Sequence, residues 1–200
     1  MADLTELLQC ARQGCADSLG RLMELYRNYL RLIAAMQLNG QFREKFSASD
    51  IVQATFLQAH QRFADFRGNS EGELIAWLRK ILVSQMMMEI RRYSTLARNV
   101  NVERQLHQQI DQSSILLAGI VAAKGETPSQ TAMKRERAVI LADALAQLPE
   151  NYREVIILRH LRGYRFHDVA KEMDQTIDSV KSIWQRAIRR LRELLGDGPL

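Results

Sequence analysis

LRGYRFHDVAKEMDQTIDSVKSIWQRAIRRL, residues 161 to 191, decides the fold. Phe166, Val169, Ala170 and Met173 recur at helical spacing, which predicts a short helix from Arg165 to Met173 with one apolar side. Asp174 to Thr176 then form a tight connection to a second helix. Thr176 is suited to cap that helix and Asp178 adds negative charge to its first turn, while Ile177, Val180, Trp184, Ala187 and Leu191 supply an apolar stripe. Two short helices so joined have the shape of a helix-turn-helix, whose second helix can enter a DNA major groove. From Lys181 to Arg192 this helix carries Lys181, Arg186, Arg189, Arg190 and Arg192 and no acidic residue, the pattern of a helix that approaches phosphates.

Working outward, the block before the pair is helical too. Met133, Arg137, Ile140, Leu141, Ala144, Leu145 and Leu148 predict a helix, Pro149 suits the first turn of the next, and Tyr152, Val155, Ile156, Leu158 and Leu161 continue the apolar pattern up to Gly163. Such helices supply a core that holds a helix-turn-helix in place. His160 and His167 read as surface or turn-packing residues, and Asp197 to Leu200 as a frayed tail.

The N-terminal portion forms a second helical block. Leu4, Leu7, Leu8 and Ala11 predict a helix ending near Gly14, and Leu19, Leu22, Met23, Tyr26, Tyr29, Leu30 and Ile33 predict one helix from about Asp17 to Leu38. In SDIVQATFLQAHQRF, residues 49 to 63, the residues Ile51, Val52, Phe56, Leu57, Ala59 and Phe63 share a broad apolar side, with Ser47 or Ser49 as cap. Beyond the Arg67 to Ser70 turn, Leu74, Ile75, Trp77, Leu78, Ile81, Leu82, Gln85, Met86 and Ile90 predict a long helix ending at the charge pair Arg91-Arg92. Trp77 and Met86 are expected to pack in the core. Between Tyr93 and Thr131 the pattern weakens: glutamines, then small apolar residues, then the breakers Gly125 and Pro128 suggest a connector with one or two marginal helical pieces, the shorter around Ile115 to Val121. The expected class is therefore all-α, with two small helical domains, residues 1–93 and 132–196, joined by a linker at 94–131.

Composition excludes several alternatives. The 200 residues are 46% hydrophobic, ample for packed cores, and 28 Lys plus Arg against 23 Asp plus Glu give a net charge of only +5, so the C-terminal concentration of basic residues matters more than the total. Cys10 and Cys15 lack zinc-site spacing with the scattered histidines and are expected to be buried or half-buried thiols in a reducing compartment. Asp3 and Glu6 replace the basic start of a secretory leader, and no segment approaches the roughly 18 apolar residues that span a membrane. A cytoplasmic location without membrane insertion is the expectation. No nucleophile-base pair, phosphate-binding glycine loop or carboxylate cluster is present, so neither an enzyme nor a cofactor or metal requirement is expected.

Taken together, SDIVQATFLQAHQRFADFRG at 49–68, ELIAWLRKI at 73–81, IRRY at 90–93 and ALAQLPENYREVIILRHLRGYRFHDVAKEMDQTIDSVKSIWQRAIRRLRELL at 144–195 resemble the extracytoplasmic-function (ECF) subfamily of bacterial sigma-70 RNA polymerase sigma factors. The resemblance covers roughly three quarters of the chain, in that family's domain order. It implies that the first block is a region 2-like domain that docks on core RNA polymerase and melts the minus-10 element, and that the second is a region 4-like domain that reads the minus-35 element. It places Asp50, Val52, Gln53, Phe56 and Leu57 against the polymerase. It places Trp77, Arg79, Lys80, Gln85, Arg91 and Arg92 toward minus-10 DNA and the melted non-template strand. In the second helix, Asp178, Ser179, Ser182 and Arg186 would reach base edges, with Lys181, Arg189 and Arg190 on phosphates. The implied partners are core polymerase and promoter double-stranded DNA, with an anti-sigma factor as a further candidate.

This chain has Ala54, Ser84, Met88, Asp174 and Ile183 where the family commonly has an acid, Asn, Asp, Gly and Arg. Two other readings stay open at this level. One is a helix-turn-helix regulator that does not dock on core polymerase; the other is a sigma-like protein-interaction scaffold.

Overall fold

The computed structural model describes residues 4–38, 46–93, 100–120 and 131–195, and every regular element among them is helical. By internal contact the chain divides into two compact units, Met1–Gln112 and Ser113–Leu200. The breakers Gly125 and Pro128 and the tail at 197–200 lie outside the described residues.

In the first unit, α1 (Leu4–Arg12) packs on α2 (Ala16–Leu25), and α3 (Arg27–Gln37) packs against α4 (Ala48–Gln61) and α5 (Glu71–Tyr93). Leu22, Tyr26, Tyr29, Leu30, Ile33, Ile51, Ile75, Leu78, Leu82 and Met86 are among its largest fully buried side chains, at the helical spacings read from the sequence. The helix starts are fixed by short-range chemistry. Ser47, not Ser49, caps α4: its Oγ accepts from Asp50 N–H at 3.1 Å, and the Asp50 carboxylate accepts from Ser47 N–H at 3.2 Å. A second reciprocal pair opens α5, where Ser70 Oγ accepts from Glu73 N–H at 3.3 Å and the Glu73 carboxylate accepts from Ser70 N–H at 3.0 Å. The Ser70 hydroxyl, then the Asn69 and Ser70 N–H groups, hold the Glu73 carboxyl below the usual range. Just upstream, a Cβ on Gly68 would lie 2.5 Å from the Phe66 ring and 2.6 Å from Glu73 Cβ, so only glycine fits this turn.

Four expectations need correction here. The single helix over 17–38 is two helices separated at Tyr26, whose N–H bonds to Met23 O at 3.1 Å. Tyr26 is 1% exposed and donates its hydroxyl to Glu71 at 3.1 Å, so a contact with α5 coincides with the break. Leu57 does not join the apolar side of α4; it is 63% exposed, because the broad stripe wraps further round the helix than the core reaches. Cys10 and Cys15 are both exposed rather than buried. Finally, the connector contains α6 (Val100–Ile120), a helix of 21 residues in place of marginal pieces. Its Leu106 and Ile110 are buried, and its Glu103 and Asp111 pair with Arg91 at 3.2 Å and Arg79 at 3.3 Å.

In the second unit, α7 (Thr131–Ala146) is followed by α8 (Glu150–Ile156), which runs into a π turn at Ile157–Leu161; α9 (Phe166–Glu172) and α10 (Ile177–Leu195) complete it. The longest helix, α10, packs on α7, α8 and α9. Pro149 caps α8 and does not enter its first turn. Arg153 of α8 donates to Leu145 O at 3.0 Å, Ala146 O at 3.1 Å and Leu148 O at 2.9 Å, satisfying carbonyls that the end of α7 leaves open. None of the described helices is long and apolar enough to cross a membrane.

Candidate nucleic-acid interface

The turn between α9 and α10 is built on one unusual backbone angle. Asp174 has φ 49°, the left-handed region, while Gln175 N–H reaches Ala170 O at 2.9 Å and Asp174 N–H reaches Lys171 O at 3.3 Å. This is a Schellman closure with aspartate at the position that favours glycine. Thr176 caps α10 as expected, its Oγ1 accepting from Ser179 N–H at 3.2 Å. These three bonds stop α9 and start α10 within three residues.

Behind the turn, Val180, Ala187 and Leu191 are buried at 0–1% exposure and fix the rotation of α10. Ile177, expected in the same stripe, is 39% exposed at the free end of the helix. Trp184 is half-buried. Its Nε1–H donates to His160 Nε2 at 2.8 Å with the two rings nearly parallel, and Phe166 meets it edge-on at 5.6 Å. Shielding from solvent, then the neighbouring Arg159, lowers the His160 pKa and keeps Nε2 an acceptor. His160 is thus the turn-packing residue read from the sequence.

With that rotation fixed, Asp178, Lys181, Ser182, Arg186, Arg189 and Arg190 all lie on the exposed side of α10, and Ser179 sits half-buried at its edge, donating to Gln175 at 2.7 Å. Lys181 pairs with Asp178 at 3.7 Å, Arg186 Nε donates to Ser182 O at 3.3 Å, and Arg190 pairs with Glu193 at 2.7 Å. The two ion pairs are exposed and lie within one helix, worth about 0.3–0.5 kcal/mol each, so a phosphate can displace them. Gln185 shares the face and was passed over in the sequence; four-residue spacing from Lys181 to Gln185 to Arg189 is the signal that marks it. Trp184, Gln185, Ile188, Arg189, Arg192 and Glu193 line a depression of about 650 Å³ beside it.

In the first unit, the residues expected at the minus-10 element fall on different surfaces. Lys80, Arg91 and Arg92 are exposed on α5, together with Ser84 and Met88. Trp77 is half-buried against Phe66 at 5.3 Å and Phe63 at 6.1 Å. Arg79 turns inward, its side chain 15% exposed between the Tyr29 hydroxyl at 3.4 Å and Asp111. Gln85 does not face solvent at all: it is 8% exposed and donates to Gln58 of α4. Four-residue steps from Lys80 lead to Ser84, Met88 and Arg92, one position off Gln85, which explains the miss.

The expected polymerase contacts divide similarly. Asp50, Gln53 and Leu57 form an exposed edge of α4, and Phe56 is half-buried under the Arg27 guanidinium at 5.2 Å. Val52, at 1% exposure, is a core residue and cannot meet a partner in this fold.

A helix-turn-helix with a basic second helix, carried on a chain with a separate helical unit, defines a DNA-binding transcription protein. A family model described as "Sigma-70, region 4" matches residues 138–191, which include α9, the turn and most of α10. The ECF RNA polymerase sigma factor SigL of Mycobacterium tuberculosis is 30% identical over 79% of this chain and 78% of its own length. The ECF sigma factor BldN of Streptomyces coelicolor is 26% identical over 98% of this chain and 67% of its own. The ECF sigma-E factor of Haemophilus influenzae is 24% identical over 94% and 91%. The solved structure of an RsbN-BldN complex aligns over 94% of this chain and 98% of its counterpart, at 21% identity and a TM-score of 0.32. The chain belongs to the ECF family of RNA polymerase sigma factors. It binds core RNA polymerase and promoter DNA and directs transcription initiation, and it is not itself an enzyme.

Proposed function

We propose that the two units divide the work of promoter recognition. The first, corresponding to the region expected at 1–93 and extended by the start of α6, docks on core polymerase through the exposed edge Asp50, Gln53 and Leu57 with Phe56 behind it. It meets melted minus-10 DNA through Lys80, Arg91 and Arg92, with Trp77 at the border and Ser84 and Met88 between them. The second unit reads the minus-35 element with α10. Ser182, Arg186 and Gln185 face base edges, Asp178 and Ser179 lie at the entering end, and Lys181, Arg189 and Arg190 hold phosphates. The observation that carries this reading is the rotation of α10. Burial of Val180, Ala187 and Leu191 leaves every one of the basic candidates on the opposite, exposed side.

Opening of the duplex then follows from preferential binding of the unpaired strand and needs no covalent step. A cytoplasmic location and control by an anti-sigma factor belong to the same reading. The deciding experiment is reconstituted transcription with purified chain, sigma-free core polymerase and a promoter library. Specific initiation supports it; specific duplex binding without core binding sinks it. Replacing Arg186 is expected to change preference at the upstream element. Replacing Arg190 is expected to weaken binding evenly across sequences and reduce the salt slope by about 1.

A further inference from the structure

The DNA-facing surfaces leave the chain's two cysteines unused, yet they occupy paired positions of one motif. At the end of α1, Cys15 N–H donates to Cys10 O at 3.1 Å and Gly14 N–H donates to Ala11 O at 3.1 Å, with Gly14 at φ 90°. This is a Schellman closure, and in that motif the side chains of the residue giving the outer bond and the residue receiving it characteristically meet over the turn. Here both are cysteine, both are exposed, and the outer backbone bond joins their main chains directly.

The surroundings distinguish the two sulfurs. Cys15 precedes the first residue of α2, so its sulfur sits at a helix N-terminus, where a thiolate is favoured. Ser18 Oγ donates to Cys15 Sγ at 3.3 Å; that bond, followed by the Ser18 backbone N–H, draws the Cys15 thiol below its ordinary pKa. Cys15 also lines an open cavity of about 540 Å³ with Arg12, His60, Phe63 and Arg67, which gives a small oxidant room to approach.

We propose that Cys10 and Cys15 form a reversible intramolecular disulfide when the chain meets a hydroperoxide. The Cys15 thiolate attacks a peroxide oxygen and the O–O bond breaks. The departing oxygen takes up a proton as water or alcohol, leaving a sulfenic acid. Cys10, losing its proton, attacks that sulfur; the S–O bond breaks and hydroxide leaves as water. Two thiols lose two electrons, the peroxide gains them, and a dithiol reductant reverses the change. Resolution by a neighbouring thiol is what protects a sulfenic acid from irreversible oxidation.

Trypsin provides the test, because cleavage after Arg12 separates Cys10, in residues 1–12, from Cys15, in residues 13–21. After treatment of the full chain with equimolar hydrogen peroxide, the unreduced digest should contain these two peptides joined, from a monomeric protein, and dithiothreitol should part them. The joined species should be lost in both Cys10→Ser and Cys15→Ser, and Cys10→Ser should instead accumulate a sulfenic acid trapped by a 1,3-dione. A disulfide-linked dimer of the unaltered chain, or sulfinic acid on Cys15 beside a free Cys10, overturns the proposal.

Discussion

Asp174 shows how one residue can be legible in type and still carry a cost. Its left-handed φ of 49° is disfavoured for any side chain, although aspartate tolerates it better than most. Asp174→Gly is therefore expected to stabilise the second unit by about 0.5–1 kcal/mol, read as a rise in its thermal midpoint, with the bond from Gln175 to Ala170 intact. His160 gives a pH dependence with a definite sign. Its pKa is lower folded than unfolded, so the native state binds fewer protons. The stability from its bond with Trp184 is complete above the unfolded value of about 6.5 and is lost as pH falls through the folded one. Thermal melts of the second unit from pH 8 to 5 should show this decline, and His160→Gln should flatten it. Arg153 answers to three carbonyls at once, so Arg153→Met should cost about 2–3 kcal/mol, seen as early melting of the same unit.

Among the elements, α6 separates two kinds of attachment. Glu103 pairs with Arg91 near solvent, where such a bridge contributes about 0.2–1 kcal/mol, and Asp111 pairs with the inward-turned Arg79; burial of Leu106 and Ile110 is worth several times more than the exposed bridge. Glu103→Gln should barely change hydrogen-exchange protection along α6, while Leu106→Ala or Ile110→Ala should cost about 2–4 kcal/mol and expose it. The same residues explain why this helix was missed. Leu106, Ile110, Ser113 and Leu117 lie at helical spacing and are all buried, but a serine interrupts the stripe and glutamines surround it. The helix-turn-helix was legible because its signals are local: a capping threonine, a three-residue turn and an unbroken stripe in Val180, Ala187 and Leu191. The Tyr26 break left no such trace, since Leu22, Tyr26, Tyr29 and Ile33 continue one periodic face across it. Val52 and Gln85 were misplaced for a related reason. A family position specifies a neighbourhood on a helix, and packing against α3 or α4 decides which side of it a residue occupies.

For the whole molecule, the division into two units predicts separable losses of function. Leu57 is 63% exposed and belongs to the first unit, so Leu57→Asp should abolish binding to core polymerase while leaving the fold and duplex binding by α10 unchanged. Arg186→Ala should do the reverse, keeping polymerase binding and losing sequence preference at the upstream element. Core-polymerase pull-down and duplex binding on the same two variants check both statements, and a variant that lost both together would contradict the division. A last consequence concerns spacing along the chain. At the π turn, Arg162 N–H reaches back five residues to Ile157 O at 2.9 Å, so this turn holds one residue more than an α-helical turn. That extra residue acts as a phase adjuster. If the same residues closed instead as ordinary α-helix, the helix before the turn would rotate by about 100° relative to α9 and α10, whereas deleting one residue as the turn closed would leave that phase unchanged.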